Sequence, residues 1–160
     1  MDRRSPTAAL GRLVCAGAAD AVTAAQMRRA VRRWLQKMAR LSAEVREDII
    51  LGVNEALANC VEHAYCGQDA IGTMRLEVGH DLTAQRISVC VSDRGTWQRP
   101  RPRKADDPGA SRGIMLMHSV ADHCTISARP SGTTVLLDYA TGPTRPAPPS
   151  GVSRSAMLVP

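Results

Sequence analysis

Three groups of residues in this chain have the types and spacing to do chemistry. Glu55, Asn59 and His63 follow one another at intervals of four, which on a helix puts them in one polar stripe about 80° wide. That stripe borders an apolar arc instead of opposing it, so its members are partly covered by whatever lies over the helix. A covered carboxylate or carboxamide is costly unless paired, and a ligand or metal ion resolves that cost. The second group, Val89-Cys90-Val91-Ser92-Asp93-Arg94-Gly95, puts a carboxylate at the end of an apolar run, followed by a glycine that lets backbone approach a ligand. The third is Ser111-Arg112-Gly113-Ile114, where a loop is expected to enter a helix. Free N–H groups and the helix dipole there favour phosphate, and Arg112 adds a forked donor. Each group alone is ordinary, and the familiar phosphate motifs G-x-x-x-x-G-K-[ST] and G-x-G-x-x-G are missing.

The elements that must position these groups are legible from periodicity. Residues 12–16 suit a short strand. Between residues 20 and 40 the period is helical: Met27, Val31, Trp34, Leu35 and Met38 fall on one arc, and Arg28, Arg29, Arg32, Arg33, Lys37 and Arg40 on the other. Asp20 and Thr23 are the candidate caps, and the basic arc is either a solvated face or a docking surface for an acidic partner. Ser42 caps a second helix expected over residues 42–65, with Val45, Ile49, Val53, Ala56, Cys60 and Ala64 on its apolar arc and Gly67 as its stop. The period then falls to two. Met74, Leu76 and Val78, and then Ile87, Val89 and Val91, predict two adjacent antiparallel strands of a half-buried sheet. Between residues 93 and 112, Gly95, Pro100, Pro102, Pro108 and Gly109 break a basic stretch, a loop long enough to require a function or disorder. A short helix over 114–120 and strands over 124–128 and 133–139 complete the pattern.

Composition narrows the function. The 160 residues suit one domain with a loose leader at 1–10, a folded unit at 11–140 and a disordered Pro-rich tail at 141–160. With two Trp, two Tyr and no Phe, the core must be aliphatic. No apolar run spans a bilayer and no signal peptide is evident, so a cytoplasmic protein without a membrane is expected. The five cysteines, Cys15, Cys60, Cys66, Cys90 and Cys124, form no C-x-x-C pair and are expected to be structural filler. Net charge is +6, concentrated in the first 40 residues and in Arg99, Arg101, Arg103 and Lys104. No aromatics interleave with those cations, which argues against direct nucleic-acid binding.

Order and context join the three groups. The stretch 53–65, reading V-N-E-A-L-A-N-C-V-E-H-A-Y, resembles the N box of GHKL ATPases, and in particular that of the anti-sigma-factor serine kinases, which ends in the same His-Ala-Tyr. Asp93-Arg94-Gly95 is similar to their G1 box, Arg112-Gly113-Ile114 to their G2 region, and Gly132-Thr133-Thr134-Val135 to their final strand. The resemblance covers roughly residues 10–140 with the intervals in register, including a flexible lid at about 94–112. It implies an α/β two-layer sandwich of the Bergerat type: a mixed, mostly antiparallel sheet with helices on one face and nucleotide between the layers. It implies ATP and Mg²⁺ as cofactors. Asn59 would hold Mg²⁺ against the phosphates, and Glu55 would act as general base toward the attacking hydroxyl. Asp93 would take the adenine amino group, Gly95 would let the base slide close, and Thr133 or Thr134 would complete the adenine contacts. Gly113, with Ile114 beside it, would wrap the phosphates, Arg112 would neutralise developing charge, and His63 would contact nucleotide or brace its helix. The implied partners are an anti-anti-sigma factor of the STAS type as phosphorylation substrate, a sigma factor that the chain sequesters, and a second copy docked through the sheet edge near the N-terminal strand.

Two departures bear on rate. The G1 box lacks its second glycine, because Thr96-Trp97 follows Gly95, and Ser111 holds the first glycine position of the G2 box. A competing reading is therefore a regulatory module that binds nucleotide and sequesters a partner without phosphoryl transfer. A histidine kinase is a weaker fit, since the first 40 residues hold no His to receive phosphate.

Overall fold

The computed structural model describes residues 11–65, 71–95 and 109–142. The expected leader, most of the lid, Gly67, Cys66 and nearly all of the expected tail lie outside these described residues. Among the described residues five strands and three helices occur in the order β1 (Leu13–Ala18), α1 (Ala21–Gln36), α2 (Ala43–Glu62), β2 (Thr73–Asp81), β3 (Arg86–Asp93), α3 (Gly109–Val120), β4 (His123–Arg129) and β5 (Gly132–Ala140).

The strands form one sheet in the order β1-β2-β3-β5-β4. Every pairing is antiparallel, so the sheet is uniform where a mixed one was expected. Register follows from the alternation in sequence. Leu76 opposes Cys15 and Val91, and Val91 opposes Val135, so apolar side chains share one face across four strands. On that face Met74, Leu76, Val78, Ile87, Val89, Val91, Val135, Leu137 and Tyr139 are buried. The helices cover it: Met27, Val31, Trp34 and Leu35 of α1 and Ile49, Val53, Ala56 and Leu57 of α2 join the same core. On the opposite face Val14 and Leu136 are exposed among the described residues. No helix among the described residues is long and apolar enough to cross a membrane.

Local chemistry sets the helix ends. Asp20 caps α1, its Oδ1 accepting from the Thr23 amide at 2.7 Å, and Ser42 caps α2, its Oγ accepting from the Val45 amide at 3.2 Å. Three boundaries differ from the periodicity. α1 stops at Gln36 and not near Arg40, because Lys37 and Met38 donate in tight turns to Trp34 and Leu35 while Met38 and Leu41 sink into the core. α2 stops at Glu62 and not at Tyr65, with His63 as its cap. α3 begins at Gly109, within the span expected as lid, and not at Ile114. A glycine usually weakens a helix, and Gly113 therefore reads as a boundary in sequence. In the fold it is a packing position: a Cβ there would sit 2.9 Å from Oε2 of Glu55.

Candidate functional site

The site lies where the second half of α2 meets the end of β3, the start of β5 and the first half of α3. Asp93 closes β3 and is 7% exposed. Its Oδ1 accepts from the amides of Gly95 at 3.0 Å and Thr133 at 3.3 Å, and its Oδ2 accepts from the Cys60 thiol at 3.6 Å. Two strand ends and one helix thus hold a single carboxylate in place. Gly132 makes this possible: with φ at 139° it runs so close to the Asp93 carbonyl that a side chain would collide with it.

Asn59 and Glu55 come next along α2, facing α3. Asn59 is 7% exposed, and its Nδ2 has no hydrogen-bond partner among the described residues. Oε2 of Glu55 and Oδ1 of Asn59 both lie against Gly113, at 2.9 and 3.8 Å from where its Cβ would stand. The other oxygen of Glu55, Oε1, accepts from Nδ2 of Asn54 at 3.2 Å, and Oδ1 of Asn54 accepts from Nη1 of Arg28 at 2.7 Å. A relay thus runs from α1 to the carboxylate.

The remaining expected residues separate. Thr133 and Thr134 are neighbours on a strand and must point to opposite faces. Thr133 is 1% exposed on the helix side, its Oγ1 without a partner among the described residues, whereas Thr134 is exposed and faces a hollow with Ser127 and Arg129. Sequence left the choice between them open; it is the Thr133 amide that donates to Asp93. Gly95 lies against the backbone of Ala64, in the turn that follows α2, where a side chain would collide. Ile114 is half-buried and packs on the core. Arg112 is exposed and sits inside α3, one turn beyond the loop–helix junction expected for it. The His63 amide donates to the Asn59 carbonyl at 3.0 Å, and its ring Nε2 lies 3.7 Å from Oε2 of Glu62.

Four contributors were not foreseen as site residues. Asn54 and Arg28 orient Glu55. Cys60, taken for filler, ends on Asp93; burial, and then the adjacent carboxylate, push its thiol pKa far up, so it remains a protonated donor. Tyr65 stitches the end of α2 to the sheet, its Oη donating to the Thr73 carbonyl at 2.5 Å and accepting from the Arg94 amide at 3.0 Å. In the sequence Asn54, Cys60 and Tyr65 fall within the stretch 53–65 that resembles the N box, and Arg28 stood only as one cation of the basic arc.

The arrangement fits a nucleotide. Two buried polar atoms near the Cys60–Asp93 link, Nδ2 of Asn59 and Oγ1 of Thr133, have no partner among the described residues, and each costs about 1–3 kcal/mol unless something else meets it. Among the described residues no three His, Cys, Asp or Glu side chains are grouped so as to hold a metal ion. A single carboxamide suits Mg²⁺, which takes most of its ligands from phosphate and water.

The family description "Histidine kinase-like ATPase domain" matches residues 17–139. The chain belongs to that family. An ATP-binding domain of the GHKL type follows, and the fold inferred from the boxes agrees with it. None of the curated proteins matches the chain. Among solved structures, the RsbU and RsbW domains of Rv1364c from Mycobacterium tuberculosis share the fold with a TM-score of 0.65 and 22% identity, over 86% of this chain and 34% of that one. The histidine kinase domain of the Erythrobacter litoralis EL346 blue-light activated histidine kinase aligns at a TM-score of 0.48 and 20% identity, over 75% of this chain and 60% of that one. The chain therefore spans about a third of the first of these structures and 60% of the second.

Proposed function

We propose that this ATPase-family domain is a Mg-ATP-dependent protein kinase that phosphorylates a serine or threonine of a STAS-type anti-anti-sigma factor and also sequesters a sigma factor. The observation that carries the reading is Glu55, a carboxylate oriented by Asn54 and set beside Asn59 and Gly113. Holding nucleotide needs no base; transferring phosphate to a hydroxyl does. A similar fold in a chain that joins RsbU and RsbW domains supports a regulatory setting.

In this reading Mg-ATP supplies the phosphoryl group when bound. Asp93 holds the adenine amino group, and Thr133 adds its hydroxyl on the same side. The oxygen of the Asn59 carboxamide ligates Mg²⁺. Gly113 leaves room beside Glu55, and Arg112 offsets charge on the phosphates from the surface of α3. Glu55 takes the proton of the acceptor hydroxyl. The exposed cations of α1 and of the turn after it, Arg29, Arg32, Arg33, Lys37 and Arg40, form the face offered to an acidic partner.

The test is incubation of the chain with labelled ATP, Mg²⁺ and candidate antagonists from the same genome. A labelled serine or threonine is expected with wild type, and Glu55→Ala should still bind ATP while losing transfer. ATP binding without label on any antagonist would leave the nucleotide-binding module as the better account; transfer undiminished in Glu55→Ala would remove the base from Glu55.

A further inference from the structure

Cys60 sits on the apolar arc of α2 and is 2% exposed, as a small core side chain would be. Its polar end does not face the core. The sulfur lies 3.6 Å from Oδ2 of Asp93, and since an ionised carboxylate only accepts, the thiol is the donor. Oδ1 is meanwhile pinned by the amides of Gly95 and Thr133. Contacts at both oxygens fix the rotation of the carboxylate about its last bond. A second observation marks this corner as ligand-facing: Thr133, whose amide holds Oδ1, carries a buried hydroxyl without a partner among the described residues, and Asn59, the residue before Cys60, carries an unpaired amide nitrogen.

We infer that Cys60 is a positioning residue for base recognition, its thiol setting the plane in which Asp93 meets the exocyclic amino group of adenine and so contributing to the choice of ATP over purine nucleotides that carry a carbonyl there. This rests on the assignment of Asp93 to adenine made above. The thiol suits the task because it is small enough for the helix–sheet interface and keeps its proton. A valine fills similar space with no donor, and a serine restores one.

The experiment is calorimetric titration of the full chain with Mg-ATP and with Mg-inosine triphosphate, in which a carbonyl replaces the amino group. Wild type should prefer ATP. Cys60→Val should lose ATP affinity by about tenfold while inosine triphosphate binding stays within about twofold, which is the scale of one hydrogen bond to a charged group. Cys60→Ser should recover most of the ATP affinity, and Cys60→Ala, if the valine variant does not fold, should repeat the valine result. ATP affinity unchanged in Cys60→Val or Cys60→Ala overturns the inference, and so does an equal loss for both nucleotides, which would mark ordinary damage to packing. Failure of the underlying reading looks different. A wild type that binds both nucleotides alike, or an Asp93→Asn variant that keeps full preference for ATP, removes adenine from Asp93 and Cys60 from its role together.

Discussion

At the scale of single residues, the site is built from side chains that hold other side chains. Glu55 is the proposed base, but its orientation comes from Asn54, and that of Asn54 from Arg28 on the neighbouring helix. A hydrogen bond to a charged group contributes about 1.5–3 kcal/mol, and a base displaced from its line of approach loses rate before it loses binding. Asn54→Ala should therefore lower phosphotransfer by roughly tenfold with the ATP dissociation constant unchanged. Arg28→Ala should act in the same direction, and the double variant should fall short of the summed effects because both act on one relay. Steady-state kinetics with separate kcat and KM, set beside calorimetric ATP binding, checks this; a change confined to KM would contradict it.

At the scale of elements, the caps decide where the helices begin and hence where the stripe on α2 points. Asp20 accepts the Thr23 amide at 2.7 Å, and that bond, then the Thr23 hydroxyl, lower its pKa from the ordinary 3.8. A depressed carboxyl pKa contributes stability that is fully present above the unfolded value and is lost as pH falls through the folded one. The melting temperature of wild type should thus exceed that of Asp20→Ala at neutral pH, with the gap narrowing once the pH drops below 3.8. Thermal melts of both proteins across that range measure it, and a gap that widens in acid would show that Asp20 is not held as an ionised cap. Such control of α1 reaches the site because Arg28 lies on that helix.

At the scale of the whole molecule, one sheet face is sealed by helices, and the site occupies the margin where the two layers part. A ligand seated there binds the folded chain alone and stabilises it by mass action, by about 2.7 kcal/mol at a hundred times its dissociation constant. For a domain of this size that corresponds to a rise in melting temperature of roughly 5–10 °C. Wild type should show this rise with Mg-ATP, and Asp93→Asn should show little of it at the same nucleotide concentration. Scanning calorimetry or dye-monitored melting with and without nucleotide gives the answer. An equal rise in both proteins would place the nucleotide away from Asp93.

The sequence by itself determined the strands and the two long helices, and it narrowed their caps to Ser42 and to Asp20 or Thr23, because each of these is written in local order. A period of two or 3.6 needs only neighbours along the chain, and so does Ser42 or Asp20 ahead of an apolar arc. The four-residue spacing of Glu55 and Asn59 put both on one side of α2 without any knowledge of what lay opposite. What lay opposite was decided by the tertiary structure. That Gly113 faces Glu55, that Thr133 is buried with its amide on Asp93 while Thr134 is exposed, and that Cys60 ends on a carboxylate 33 residues away all depend on sheet register and on how the helices pack on it. Cysteine and glycine are the residues most open to misreading from sequence: one is equally at home as core filler or hydrogen-bond donor, the other as helix breaker or close-packing position. Only the partner across the interface tells which, and a partner distant in sequence leaves no periodic trace.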